Sequence, residues 1–170
     1  MPTHDKTTFK SNPYTLLTGL VVDSNTTMHM IIKSMLIKIG FKLIYTAANG
    51  IEALDQIERH GVDLIISDWD MPKMNGLALL QTVRKRDDFA NVPFIMLTAN
   101  VDPHDVKQAI LSGVSEYLLK PFTSNSLKQK IHSAFLSPIP KHTLTDVSTN
   151  PVSEEKNSTE LAKTTHNILI

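Results

Sequence analysis

Cysteine is absent from this 170-residue chain, so neither a disulfide nor a thiolate-bound metal contributes to its fold or chemistry. No apolar run approaches the length of a membrane span. The polar stretch Met1–Asn12 lacks the hydrophobic core of a signal peptide, and a cytoplasmic location is the resulting expectation. Charge of one sign is not in excess either. With 17 Lys and Arg against 17 Asp and Glu, the formal net charge is zero, which gives no field to draw nucleic acid or an anionic membrane surface. A glycine-rich phosphate loop is missing, which argues against the nucleotide-binding folds built on one. The seven histidines are scattered, with no pair at the spacing of a helical metal site. There are no internal repeats.

What is present is an alternation of strand-like and helix-like segments. Leu16 to Val22 reads as a strand, followed by helical spacing through Met28, Ile31, Ile32, Met35, Leu36 and Ile39 that Gly40 closes. Lys42 to Ala47 alternates and predicts a second strand; Ile51, Ala53, Leu54 and Ile57 mark a helix stopping near Gly61. Val62 to Ser67 is almost wholly apolar, as a strand covered on both faces should be. Met71-Pro72 and Asn75-Gly76 are turn chemistry, before a helix from Leu77 to about Arg86. Strands at Val92–Leu97 and Ser115–Leu119, and helices at Pro103–Leu111 and Ser126–Phe135, complete five βα units. Such an order predicts an α/β fold: a three-layer doubly wound parallel sheet with right-handed crossovers. Residues 1–13 read as a flexible N-terminal segment, 14–136 as the domain, and the Ser-, Thr-, Asn-, Lys- and Glu-rich stretch 137–170 as a disordered tail.

Four of the strand-like runs end on residues that carry chemistry. Leu20-Val21-Val22 leads into Asp23, Leu64-Ile65-Ile66-Ser67 into Asp68, Phe94-Ile95-Met96-Leu97 into Thr98, and the fifth strand into Lys120-Pro121. In an open parallel sheet the crevice at the carboxyl ends of the strands is the ligand site. Asp68 is the candidate nucleophile, because a carboxylate can attack a phosphoryl group and hold it as an acyl phosphate. Attacker and target are both anionic, so a divalent cation and the Lys120 ammonium would neutralise charge, while Thr98 donates to a phosphoryl oxygen. Pro121 sets a turn, through a cis peptide in one version, that aims the lysine inward. Taken singly, each residue has an ordinary structural role: a turn cap for Asp68, a β-branched strand end for Thr98, a solvated lysine for Lys120. The convergence in order is what favours the functional reading.

Together, Val21-Val22-Asp23, Asp68-Trp69-Asp70-Met71-Pro72 with Asn75-Gly76, Thr98-Ala99 and Lys120-Pro121-Phe122 resemble the receiver domain of bacterial two-component response regulators, most closely the single-domain chemotaxis type. The resemblance covers roughly Tyr14 to Leu136 and implies a flavodoxin-like, CheY-like five-stranded sheet of order 2-1-3-4-5. It implies that Asp68 is the phosphoacceptor for a histidine kinase or phosphotransfer protein. It also implies that Thr98 and Lys120 contact the phosphoryl group, and that Mg²⁺ is held by Asp23, Asp68 and the backbone carbonyl of Asp70. Thr98 and Tyr117 take the switch positions; Ser24, Asp70 and Asn100 take positions that tune the site. A monomer that signals through a protein partner on the face of the fourth helix, fifth strand and fifth helix is implied as well.

One departure bears on the chemistry. The family usually has two consecutive acids after the first strand, and here the pair is Asp23-Ser24. A hydroxyl is a poor replacement for a carboxylate on a hard cation, so weakened Mg²⁺ binding is expected. The alternative reading is therefore a phosphorylation-independent pseudo-receiver that acts only as an interaction module. Asp68-x-Asp70 is also similar to the nucleophile and general-acid pair of haloacid-dehalogenase-type phosphatases. That reading is disfavoured by the motif's place on the third strand, by Met71-Pro72 after it, and by the lack of a cap domain. The chain is expected to assist its own phosphorylation and dephosphorylation rather than to turn over a substrate.

Overall fold

Apolar runs bounded by turn residues give five parallel strands in the computed structural model of the chain, which describes residues 12–99 and 102–136. In chain order the elements are β1 (Thr18–Val22), α1 (Thr26–Ile39), β2 (Leu43–Ala47), α2 (Gly50–His60), β3 (Leu64–Asp68), α3 (Gly76–Arg84), β4 (Phe94–Thr98), α4 (Pro103–Leu111), β5 (Glu116–Leu119) and α5 (Ser124–Leu136). The sheet order is β2-β1-β3-β4-β5, all parallel, as the resemblance implied. The segments read as a flexible N-terminus and a disordered tail lie, but for Asn12 and Pro13, outside the described residues.

Element boundaries fall within about two residues of the sequence reading. The first strand starts later than Leu16, whose side chain is exposed. Strands three and four each run one residue further, so that Asp68 and Thr98 are themselves in the ladder. No helix among the described residues is long and apolar enough to cross a membrane.

Alternation along each strand sends side chains to two separate cores. Leu20, Val22, Ile65, Phe94, Met96 and Tyr117 pack with residues of α2, α3 and α4. Val21, Leu64, Ile66, Ile95, Leu97 and Leu118 pack with α1 and α5. Strands β1, β3 and β4 are covered on both sides, which is why they read as unbroken apolar runs, whereas β2 is an edge strand with Leu43 exposed. Each fully buried aliphatic side chain contributes about 1.5–3 kcal/mol relative to exposure.

The helices start where their caps dictate. Asn25 accepts from the Thr27 N–H, Asn49 from Ile51 and Glu52, Asn75 from Ala78, and Asp102 from His104, with Pro103 opening α4. All four caps lie in βα turns, at the carboxyl ends of the strands, so the turns that build the crevice are held by their own hydrogen bonds. Gly40 and Gly61, at φ 124° and 64°, end α1 and α2.

Candidate functional site at the carboxyl ends of the strands

Parallel register brings the polar strand ends level. Val22 pairs with Ser67, Asp68 with Leu97, and Thr98 with Leu119, so Asp23, Asp68, Thr98 and Lys120 form one row across the sheet. The ladder continues past the strands: Asp23 N–H donates to the Ala47 carbonyl at 3.1 Å, Trp69 N–H to Leu97 at 2.9 Å, and Lys120 N–H to Thr98 at 2.7 Å. The backbone of each residue is therefore fixed before its side chain does anything. The Lys120-Pro121 peptide is cis.

At the centre of the row the Lys120 ammonium forks between two carboxylates. Its Nζ lies 2.9 Å from Asp68 Oδ1 and 3.0 Å from Asp23 Oδ2. Asp23 is buried, and its other oxygen accepts the Asn25 N–H at 2.8 Å. Burial raises the Asp68 carboxyl above its ordinary range, with the Asp23 charge adding to the rise; hydrogen bonding and charge from Lys120 and the Trp69 N–H pull the other way. Burial lowers the Lys120 pKa, but the hydrogen bonds and charges of Asp68 and Asp23 outweigh it, and the ammonium is held above its ordinary range. The lysine is thus a protonated counter-ion at neutral pH.

Thr98 is buried at the end of β4. Tyr117 is also buried; its hydroxyl lies beside that of Thr98, and its ring meets Trp69 edge-on at 6.4 Å. Burial pushes the Tyr117 phenol up, against the Thr98 hydroxyl, and the charges of Asp105, Asp70 and Asp102 raise it further. Ser24 and Asp70 are exposed at the rim. Asn100 lies outside the described residues.

No group of three or more His, Cys, Asp or Glu side chains among the described residues is arranged to hold a metal. Mg²⁺ does not require one, since it keeps several waters and is commonly bound through one or two carboxylates. The Asp23 and Asp68 carboxylates already converge on one cation, the ammonium, and the Asp70 carbonyl belongs to the adjoining loop. That donor set fits Mg²⁺, with Ser24 adding no charge to it.

The turn after β3 depends on a glycine. A Cβ at Gly76 would stand 2.2 Å from the Asp68 carbonyl oxygen, so the Asn75-Gly76 pair is needed for close backbone approach as well as for turning. Sequence reasoning missed residues that hold this turn and, further from the site, the edge of the sheet. Gly50 and Met74 bring α2 against this turn. Glu116 on β5 and Lys130 on α5, both buried, pair at 3.1 Å, and Ser133 hydrogen-bonds the other Glu116 oxygen. A signal was present: Lys130 stands on the buried stripe with Leu127, Ile131 and Ala134, opposite a charge in an otherwise apolar strand.

Comparison with known proteins identifies the family and the fold. The response regulator receiver domain matches residues 20–132. The chemotaxis protein CheY1 of Helicobacter pylori is 39% identical over 113 residues, spanning 66% of this chain and 91% of that protein. Among solved structures, the chemotaxis response regulator CheY4 of Vibrio cholerae superimposes with a TM-score of 0.65 at 29% identity, covering 69% of this chain and 98% of that one. A CheX–CheY–BeF₃–Mg²⁺ complex from Borrelia burgdorferi contains a chain that matches with a TM-score of 0.67 at 28% identity, over 71% and 90% of the two chains.

Proposed function

This chain belongs to the response regulator receiver domain family, and on that footing we propose that it is a CheY-type phosphoacceptor working in a two-component phosphorelay. Asp68 takes the phosphoryl group from a phosphohistidine of a histidine kinase or phosphotransfer protein. A carboxylate oxygen of Asp68 forms the new P–O bond while the P–N bond of the donor breaks. The bonding pair stays on the imidazole nitrogen, and the product on this chain is an acyl phosphate. The single observation that carries the reading is the Lys120 ammonium held 2.9 Å from Asp68 and 3.0 Å from Asp23.

That ammonium does two things. It keeps Asp68 ionised against the burial that raises its pKa, and only the ionised form attacks. It also offers positive charge where the incoming phosphoryl oxygens arrive, in a partly desolvated pocket where charge counts for more than in water. Thr98 donates its hydroxyl to another phosphoryl oxygen. Mg²⁺, bound by Asp23, Asp68 and the Asp70 carbonyl, supplies further positive charge when present. Thr98 and Tyr117 then report occupancy to the face of α4, β5 and α5, where a protein partner binds.

Incubation with acetyl phosphate and Mg²⁺ should give an acid-stable, base-labile phosphoprotein, absent in Asp68→Ala. The second reading, an interaction module independent of phosphorylation, is favoured by one observation: Lys120 already bridges Asp23 and Asp68, and Ser24 contributes no third carboxylate. Failure to label with any competent donor, in a folded protein, decides for that reading.

A further inference from the structure

The loop from Trp69 to Gly76 is pinned at several points. Gly76 N–H donates to the Trp69 carbonyl at 3.0 Å, and Met74 N–H to that of Pro72 at 2.7 Å. Lys73 within it takes a left-handed φ of 67°. The remaining ties come from a different element. Gly50 N–H, in the first turn of α2, donates to the Met74 carbonyl at 3.0 Å. The Met74 side chain lies so closely over Gly50 that a Cβ there would stand 2.5 Å from Cγ, 2.7 Å from Sδ and 2.9 Å from Cβ of the methionine. A weaker tie joins Lys73 Nζ to Glu52 Oε1 at 3.9 Å, between exposed side chains. The Met74 sulfur can swing aside, but its Cβ is fixed to the backbone. A larger residue at position 50 therefore displaces the loop and not merely a side chain.

From this packing we propose that Gly50 and Met74 are positioning residues for the phosphoacceptor pocket, holding the loop that carries the Asp70 carbonyl so that it is ready as an oxygen ligand for Mg²⁺. The inference rests on the reading of Asp68 as a metal-assisted phosphoacceptor. It matters more here than it would with two acids after β1. Because Ser24 supplies no carboxylate, a larger share of the metal's oxygen ligation falls to the backbone, and backbone oxygens are only as well placed as their loop.

Mg²⁺ titration followed by Trp69 fluorescence, on the full chain, tests this in four proteins: wild type, Gly50→Ala, Met74→Ala and the double variant. Gly50→Ala should weaken Mg²⁺ affinity by about tenfold, the usual scale for disturbing a residue that orients a metal ligand. In the Met74→Ala background the same Gly50→Ala change should have a smaller effect, because the collisions with Cγ and Sδ are gone and only the 2.9 Å approach of the two Cβ atoms is left. Thermal melting without Mg²⁺ runs alongside, since a purely structural role moves the melting midpoint and leaves the affinity alone. The proposal is overturned if Gly50→Ala binds Mg²⁺ within twofold of wild type, or if it weakens binding equally in both backgrounds. A wild-type chain that ignores Mg²⁺ altogether removes the metal-assisted reading and this inference with it. A responsive wild type with unmoved variants removes the inference alone.

Discussion

Replacing Lys120 by methionine keeps the length and most of the volume of the side chain but deletes the charge that Asp23 and Asp68 share. Each contact, near 3 Å, is worth about 5 kcal/mol of gross Coulomb attraction at an effective dielectric constant of about 20. Desolvation of the three groups cancels much of that. Removing one partner of a buried pair costs about 3–5 kcal/mol net. The Lys120 side chain is 22% exposed, and water recovers part of the interaction. A loss of about 2–3 kcal/mol is therefore expected, read as a fall of roughly 1–2 M in the urea midpoint with the slope unchanged. The pH dependence carries the sharper test. Asp68 already has a raised pKa from burial and Asp23, and without Lys120 its principal lowering influences are gone. A raised folded-state pKa means stability that is present at low pH and is lost as pH rises through that pKa. The deficit of Lys120→Met relative to wild type should accordingly be largest at about pH 8 and shrink toward about pH 5, as Asp68 takes up a proton and ceases to repel Asp23. Millimolar Mg²⁺ should recover part of the loss at the higher pH. A variant as stable as wild type at about pH 8, or a deficit that does not change with pH, would refute the assignment of the ammonium as the counter-ion of both carboxylates.

Lys130→Met strands the Glu116 carboxylate between β5 and α5 and should cost about 3–5 kcal/mol in urea unfolding; pairing it with Glu116→Leu should return stability to within about 1 kcal/mol of wild type. Equal losses in the single and double variants would show that the pair is not isolated from water. Gly76→Ala forces a methyl against the Asp68 carbonyl and should lose more than about 2 kcal/mol, together with slower acetyl phosphate labelling. Asp23, Asp68 and Lys120 leave one net negative charge in the pocket, and Ser24→Asp adds another. That variant should bind Mg²⁺ roughly tenfold more tightly yet label more slowly than wild type when Mg²⁺ is scarce, so the two rate curves cross as Mg²⁺ is raised; curves that never cross count against the charge argument.

Much of this was legible in the sequence because a parallel sheet converts strand endings into neighbours. Asp23, Asp68, Thr98 and Lys120 each close an apolar run, and ladders that pair Val22 with Ser67 and Thr98 with Leu119 carry those endings to one level. The crevice rule then needs no knowledge of side-chain rotamers. The helices were read from apolar spacing, from the glycines that close them and from Pro103; the caps Asn25, Asn49, Asn75 and Asp102 are local too, with hydrogen bonds that reach only two or three residues ahead. At the carboxyl ends of β3 and β4 the boundaries differed because a polar residue, Asp68 or Thr98, continues the ladder, and backbone pairing does not stop where apolarity stops.

What stayed hidden depends on contacts whose geometry no single segment specifies. That Lys120 reaches Asp23 as well as Asp68 joins positions 97 residues apart, and the spacing of motifs says only that all three are near the crevice. Gly50 reads as an ordinary first-turn glycine until Met74 is laid across it, and Met74 reads as turn filler until Gly50 leaves the space. Glu116 and Lys130 break the apolar pattern of their own elements, which marks each as anomalous but does not name its partner. A charge on a buried stripe must be neutralised from a neighbouring element, because leaving it unpaired costs several kcal/mol. The sheet order supplies that neighbour: β5 is the edge strand opposite β2, Glu116 has the parity of Leu118, and the face that Leu118 occupies is covered by α1 and α5. Among the described residues Lys130 is the buried cation on that face, so topology plus one charge on the apolar stripe of each element is enough to predict the pair.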